Sequence, residues 1–536
     1  MAVVAHVLLC APAALLLMGA ADSAVADAAA PPAVLSPEQN LCADRSQPVA
    51  IGSVQWNGWG HDLDNTRYQP EPAIRATDVP KLALKWAYGY QGGTESGQPT
   101  IVDGRLFVSS SAGRIYSLDA KTGCTYWTFD AGAGSRTAIS IGELGQSKRA
   151  SLPKKLKRTL AHLDVITAPS GAFFGDDSGA VYALDAQKGT LLWKTQADTH
   201  PLARIVGAPT LYNERLYVAV ASTEDQLASN PGYGCCTFRG SLVALDIASG
   251  RIVWKSYTVL EEPVPVRKNN AGVQESGPAG AAIVSSPTID AARNVVYVTT
   301  GGPGMGGEQS ALTDAVAAFD LSDGKLRWVK QLIVAGEAVS SGFESSAVLR
   351  TLGSGNQVLL AGQTSGVVYG LDPDHGGEIL WQTRIGSGAS GGGIAWGIAA
   401  DHRNLYVAAS GLLADPVSSG GTLTAFDMKT GTLRWNMPAP QPACSWGDGD
   451  CWHAQVQAVT VMPGGAFSGS MDGHLRAYST IDGKILWDFD TATIFKTQNG
   501  VRASGGPLDH GGATIVNGII YVNSGNALLA FSVDGK

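Results

Sequence analysis

The sequence predicts an all-β protein: an eight-bladed β-propeller with tryptophan-ended repeats, closed by pairing of N- and C-terminal strands. Three observations carry this. Six segments share the order Ala/Ser/Gly, apolar, Asp, three variable residues, Gly, three more, Trp, ending at Trp127, Trp193, Trp254, Trp328, Trp381 and Trp435. The segment ending at Trp381 has one extra residue, and a seventh, ending at Trp487, has Ser479 for the Asp. The eighth is divided: Phe531-Ser532-Val533 stands near the end of the chain, and Leu84-Lys85-Trp86 supplies the half that ends in Trp. A ring closed by its own terminal strands explains that division, and a linear array does not.

Successive motif tryptophans lie 41 to 74 residues apart, a period that belongs to propellers, solenoids and arrays. Short apolar runs precede most motifs, among them Arg105-Leu106-Phe107-Val108, Arg215-Leu216-Tyr217-Val218 and Ile519-Ile520-Tyr521-Val522. Bounded by Gly, Asn and Asp, they read as strands. Asp-x-x-x-Gly reads as a turn, because Asp accepts from nearby backbone N–H groups and Gly supplies positive φ. About four strands per repeat give eight four-stranded blades. Each Trp then buries an apolar face between blades while its N–H reaches a carbonyl. Joining the first and last strands in one blade removes a free sheet edge.

Composition narrows the function. The chain has 536 residues, 67 of them Gly, and a net charge of −8, which argues against nucleic acid as a partner. Past the N-terminus no apolar run is long enough for a transmembrane segment. Val3 to Met18 is apolar and Ala24-Val25-Ala26 offers small residues for cleavage, so residues 1–26 read as a signal peptide, 27–80 as an N-terminal arm and 81–536 as the propeller. Export to the periplasm or beyond suits the cysteines. Cys444 and Cys451 bracket a short acidic loop, Cys235 and Cys236 are adjacent, and Cys42 and Cys124 are left to tie the arm to the first blade; connectivity stays open at this point. No Cys-x-x-Cys-His occurs, so no covalent haem is expected, and no His-Glu-x-x-His occurs, so no hydrolytic zinc is expected either. The basic run Lys148, Arg149, Lys154, Lys155, Lys157 and Arg158 reads as a solvated insertion or as a docking patch for an acidic electron acceptor.

Trp59-Gly60-His61-Asp62-Leu63-Asp64-Asn65-Thr66-Arg67-Tyr68, Cys235-Cys236-Thr237-Phe238-Arg239-Gly240, Gly277-Pro278-Ala279-Gly280 and Phe467-Ser468-Gly469-Ser470-Met471-Asp472-Gly473-His474 resemble the quinoprotein alcohol dehydrogenases, nearest their polyvinyl alcohol dehydrogenase branch. The resemblance implies pyrroloquinoline quinone (PQQ) and Ca²⁺ in a deep axial site. It also implies oxidation of a small or polymeric, secondary alcohol and an external acceptor such as a cytochrome c. A hard divalent cation takes oxygen ligands and polarises a carbonyl, and the base must reach the hydroxyl.

Residue by residue, the resemblance makes Glu224 the metal ligand and Asp314 the catalytic base, with Glu308 as the other carboxylate of that loop. It places Arg136, Thr137, Glu224, Cys235, Cys236, Arg239, Val284, Thr364 and Trp396 about the cofactor, the adjacent cysteines resembling a disulfide lid. Three positions depart from the family pattern: Val284 stands for the aromatic floor, Gly302 for a ligating Asn and Thr364 for a Lys aimed at the quinone oxygens. Two alternatives follow: a propeller that has lost PQQ and uses its axial pocket otherwise, and a scaffold propeller of the outer-membrane assembly type. Fold alone does not choose among them.

Overall fold

The computed structural model describes residues 40–52, 55–93, 97–144, 169–303, 310–333, 342–385, 393–410, 421–441, 444 and 454–536. The expected signal peptide, the basic run, Glu308 and Cys451 lie outside the described residues. Eight antiparallel sheets form the blades. In chain order their innermost strands are Thr100–Val102, Ser140–Glu143, Thr210–Tyr212, Thr288–Asp290, Val348–Thr351, Ala399–Ala400, Thr460–Met462 and Thr514–Val516, here blades 1 to 8. The first seven blades run outward in sequence order. Blade 8 takes Thr514–Val516, Ile519–Ser524 and Ala527–Val533 from the C-terminal region and its outermost strand, Leu82–Gly89, from near the start.

The closure has the register of every other blade. Trp86 lies opposite Ala530 and Leu84 opposite Phe531. Trp127, Trp193, Trp254, Trp328, Trp381, Trp435 and Trp487 lie opposite Ser117, Ala183, Ala244, Ala318, Gly370, Ala425 and Ala477. A register shift next to each pair lets the strand bend and twist there. The small residue of the motif is thus the one facing the indole.

The motif glycine explains the rest of the pattern. Each turn glycine has positive φ and backs onto the tryptophan of the preceding blade: Gly123 on Trp86, Gly189 on Trp127, Gly250 on Trp193, Gly324 on Trp254, Gly377 on Trp328, Gly431 on Trp381 and Gly483 on Trp435. The indole N–H crosses the same seam. Trp127 donates to Ala186 O (3.0 Å), Trp193 to Ile247 O (2.9 Å), Trp381 to Met428 O (3.1 Å) and Trp487 to Leu82 O (3.0 Å). Trp254 and Trp435 make the same bond to Leu321 O and Thr480 O, Trp328 does not, and Trp86 Nε1 is buried without a partner among the described residues. The corresponding carbonyl, Ala120 O, accepts the Tyr521 hydroxyl at 2.9 Å instead.

The N-terminal arm is more than a tether. Cys42 and Cys124 form a disulfide that fixes it to blade 1, and the arm then crosses the propeller axis. Trp56 pairs with Ile101 of blade 1. The carbonyls of Leu63, Asp64, Thr66 and Arg67 accept from Ile289, Leu349, Ala400 and Val461 of blades 4 to 7, and Gln69 Nε2 donates to Ile515 O of blade 8. These bonds satisfy backbone groups on inner strands that would otherwise face the channel unpaired.

The seam predicts a contrast between two glycines. Gly250 and Gly104 both have positive φ, but a Cβ on Gly250 would lie 2.6 Å from Trp193, whereas one on Gly104 meets nothing within 4 Å. Gly250→Ala should cost about 1–3 kcal/mol more than Gly104→Ala, from overpacking added to the shared backbone strain. Denaturation midpoints of the two variants check this; equal losses would refute the seam.

Candidate functional site

In each blade the chain enters the inner strand from a loop on the face that also carries the loops between second and third strands. The fourth residue before the inner strand is Arg136 in blade 2, Val206 in blade 3, Val284 in blade 4, Glu344 in blade 5 and His510 in blade 8. All five line one cavity on the axis, with Trp396 of blade 6 and Trp59 of the arm. Ser285, Ser286, Ser346, Gly207 and Gly511 complete it. The loop face opens toward the cavity, and the arm closes the channel from the turn face.

Two indoles and an imidazole dominate the walls. His510 lies on Trp396 with centroids 4.3 Å apart and planes 30° from parallel. Trp59 has the Arg67 guanidinium 4.6 Å from its centroid, and its Nε1 is buried without a hydrogen-bond partner. Arg67 is itself buried and locked: it donates to Trp59 O (2.8 Å), Gln98 Oε1 (2.7 Å), Val459 O (2.6 Å) and Thr460 Oγ1 (3.1 Å). Gly397 and Gly512 leave room for this pair. A Cβ on Gly397 would press on Ala458, Arg67 and Trp59, and one on Gly512 on Arg67 and the Ala458 carbonyl.

Charge in the cavity is sparse. Arg136 is the one Arg or Lys among the described residues that line it, and it lies 3.7 Å from Asp177, which also pairs with Arg204 at 3.0 Å. Glu344 is its one carboxylate. The side chain is open to solvent at the channel, yet protein surrounds it, and that desolvation pushes its carboxyl above the ordinary value while His510 pulls the other way. Sequence reasoning passed over Glu344, His510 and Trp59. Setting the repeats in register at the fourth residue before each inner strand would have found the first two.

Of the residues expected about a cofactor, Arg136, Val284 and Trp396 meet in this cavity. Thr137 is buried beside it and accepts from Gly175 N. Thr364 does not line the cavity; its N–H and hydroxyl both donate to Gly342 O (3.1 and 3.0 Å), bracing the turn that carries Glu344. Asp314 is buried elsewhere, with its N–H on Gly301 O and its carbonyl accepting from Leu332 N–H, and does not line the cavity. Arg239 turns outward, 4.0 Å over Tyr257 and 3.5 Å from Glu262.

Cys235 and Cys236 form a disulfide, and the structure puts Glu224 under their loop. Glu224 Oε1 accepts from Tyr233 Oη (2.9 Å) and Thr237 N (2.8 Å), and Oε2 from Phe238 N (2.8 Å). Burial and this carboxylate together push the Tyr233 phenol up to about 12. His200 Nε2 lies 3.0 Å from Thr237 Oγ1 and 3.8 Å from Glu224. The loop also exchanges backbone bonds with Ser276. Among the described residues no group of three or more His, Cys, Asp or Glu side chains is placed to hold a metal.

For a flat, carboxylate-bearing aromatic group the donor set does fit: indole faces, a cation in Arg136 and serine hydroxyls. Space is the constraint. The cavity measures about 20 Å³, enough for about one water, so a planar ring does not fit it as it stands.

Comparison with known proteins identifies the family. Residues 56–337 match the family model described as the β-propeller domain of glucose, ethanol and alcohol dehydrogenases. Residues 365–535 match that of the outer membrane protein assembly factor BamB. The chain is 41% identical over 529 residues to a polyvinylalcohol dehydrogenase of Pseudomonas sp, spanning 92% of this chain and 80% of that one. It is 38% identical to the polyvinylalcohol dehydrogenase of Sphingopyxis sp. (strain 113P3), spanning 92% and 79%. The fold is shared with the crystal structure of quinohemoprotein alcohol dehydrogenase from Comamonas testosteroni, at TM-score 0.64, 19% identity and coverage of 93% and 84%. An eight-bladed ring with this repeat, matched over more than half its length by the dehydrogenase propeller and over nine-tenths by relatives near 40% identity, belongs to the quinoprotein alcohol dehydrogenase family and is an oxidoreductase of that type.

Proposed function

We propose that this protein is a periplasmic or secreted dehydrogenase of secondary alcohols, polymeric ones included, that works with PQQ held in the hub. The carrying observation is the axial cavity. Its walls bring together two indoles, the Arg136 cation and the Glu344 carboxylate, in a chain 41% identical to a polyvinylalcohol dehydrogenase. PQQ, when bound, supplies the acceptor for the hydride equivalent that leaves the alcohol carbon. Arg136 would hold a cofactor carboxylate. Trp396, freed of His510, would offer a face.

Glu344, in place of Asp314, takes the hydroxyl proton. It is the cavity's carboxylate, and its raised pKa suits it to accept a proton and give it up again. Thr364 and Ser345 fix it, the latter through a 3.0 Å bond to Gly362 O. Calcium follows from the resemblance; its ligands in this chain are not those of Glu224, whose oxygens are committed to the disulfide loop. Glu224 is a positioning residue that holds that loop as a lid.

Titration of the purified protein with PQQ and Ca²⁺, followed by dye reduction with a secondary alcohol and with polyvinyl alcohol, tests this reading. Saturable PQQ binding with turnover is expected. Absence of binding would favour the propeller that has lost its quinone, a reading to which the small cavity volume speaks. Within the proposal, Glu344→Gln should lower turnover about 10²–10⁴-fold while leaving PQQ affinity unchanged. With Glu344 present, kcat/KM should climb on an acid limb lying above the ordinary glutamate range, because the base acts only when ionised. The stability effect runs oppositely. A carboxyl whose folded pKa is raised contributes stability below its unfolded pKa and loses it as pH rises through the folded value, so Glu344→Gln should flatten that loss in denaturation curves taken against pH.

Glu224→Ala leaves the Thr237 and Phe238 N–H groups without their acceptor, at about 1–3 kcal/mol each. The variant should melt lower, with the Ca²⁺ concentration for half-maximal activity unchanged. A shifted Ca²⁺ requirement at unchanged melting would return Glu224 to the metal.

A further inference from the structure

Most inner strands begin with a hydroxyl residue: Thr100, Ser140, Thr210, Thr288, Thr460 and Thr514 in blades 1 to 4, 7 and 8. Each hydroxyl donates to the carbonyl just before the inner strand of the next blade. Thr100 reaches Ile139 O (2.6 Å), Ser140 reaches Pro209 O, Thr210 reaches Pro287 O (2.8 Å), Thr288 reaches Ala347 O (2.6 Å), Thr460 reaches Ala513 O (2.6 Å) and Thr514 reaches Pro99 O (2.7 Å). These bonds lace the blades together around the axis. Two joints lack the hydroxyl, because blade 5 begins with Val348 and blade 6 with Ala399. At the second, the arm substitutes for it: Arg67 Nε donates at 2.6 Å to Val459 O, the carbonyl before the inner strand of blade 7. At the joint of blades 5 and 6 no side chain among the described residues does the same for Ile398 O. Blade 5 departs at the partner position too. The residue opposite the first inner-strand residue is aromatic in the other seven blades and Leu360 in this one.

The same joint is fastened away from the axis. At the periphery Trp381 Nε1 donates to Met428 O (3.1 Å) and Thr383 Oγ1 to Gly431 O (2.8 Å). Towards the turn face Arg350 lies 3.1 Å from His402 Nδ1. It is thus closed at the rim and unlaced at the hub. Glu344 and Trp396, which line the axial cavity, stand just ahead of its two inner strands.

We propose that the hub admits its ligand by opening this joint, blades 5 and 6 parting at Val348 and Ile398 while the lacing holds the other seven. A cavity of about 20 Å³ has to widen before a ring enters. Widening elsewhere breaks a buried hydrogen bond, and here it breaks none of the lacing. Local opening follows the boundary with the fewest such bonds. The arm spans the joint and supplies two reporters: Leu349 N donates to Asp64 O (3.0 Å) and Ala400 N to Thr66 O (2.9 Å). Ile289 N on Leu63 O and Val461 N on Arg67 O make the same bond (both 2.9 Å) beside laced joints. That the ligand is PQQ rests on the reading of the hub given above; the opening does not.

Amide hydrogen exchange of the full chain, resolved by residue and corrected for intrinsic rates, tests the opening without a ligand. Leu349 and Ala400 should be protected about threefold to tenfold less than Ile289 and Val461, the ratio that one net hydrogen bond sets. Val348→Thr adds the missing hydroxyl and should bring all four to one level. Thr288→Val unlaces blades 4 and 5 and should lower Ile289 to the level of Leu349. Stopped-flow binding of PQQ, followed by tryptophan fluorescence, reads the gate itself. Val348→Thr should slow association and dissociation by the same factor, about threefold to tenfold, at unchanged affinity, because it disfavours opening with and without ligand. Equal protection of the four amides in wild type, unchanged exchange in a folded Val348→Thr, or unchanged PQQ rates in that variant would each overturn the proposal. Should Val348→Thr fail to fold, wild type and Thr288→Val decide. No PQQ binding by wild type would bring down the reading of the hub, and the exchange pattern would still decide the joint.

Discussion

The contact of seven motif tryptophans, all but Trp487, with the turn glycine of the next blade is the constraint on which this structure depends. A blade has a flat apolar face on either side and cannot bury both by itself. The indole supplies a large planar surface, and the glycine lets the neighbouring turn come close enough to lie on it. With the N–H bonded across the seam, spacing and angle between blades are fixed together. Repeated around the ring, this leaves an axis of set width, into which the loops before the inner strands of blades 2 to 6 and 8 deliver residues. The site is a consequence of the seam.

The closing blade shows what the constraint tolerates. Trp86 keeps its register opposite Ala530 and its glycine, Gly123, but gives up the indole hydrogen bond to the hydroxyl of Tyr521. Burial and register are retained where the polar contact is exchanged. A single hydrogen bond is worth about 1 kcal/mol net, less than the burial of an indole, so the hydrophobic part of the seam is the part that a divided blade must keep.

How much was legible in the sequence follows from the range of each interaction. The seam is local: Asp, Gly and Trp occur at fixed spacing within each repeat, so blade number and closure at Trp86 could be read directly. The site is not local. Arg136, Glu344 and His510 come from three blades, and nothing in the sequence around Glu344 marks it, since its meaning lies in its place relative to an inner strand. Trp59 is harder still: its motif could be recognised, but that the arm lies across the axis is a matter of backbone bonds to inner strands. For Glu224, a matching string suggested a ligand; its oxygens accept from Tyr233, Thr237 and Phe238, partners nine to fourteen residues on in the same loop.

Positions 284 and 364 are understood through what they touch. Thr364 holds Gly342 O with both its N–H and its hydroxyl and so fixes the turn that presents Glu344. Val284 lines the axial cavity beside Trp59, an indole brought by the arm. Different elements of the chain reach the same axial space. That is possible because a propeller's centre is addressed by every blade and by whatever crosses its channel. A site at the hub can exchange contributors without moving, and the arm, bonded to inner strands of most blades, is rigid enough to be one of them.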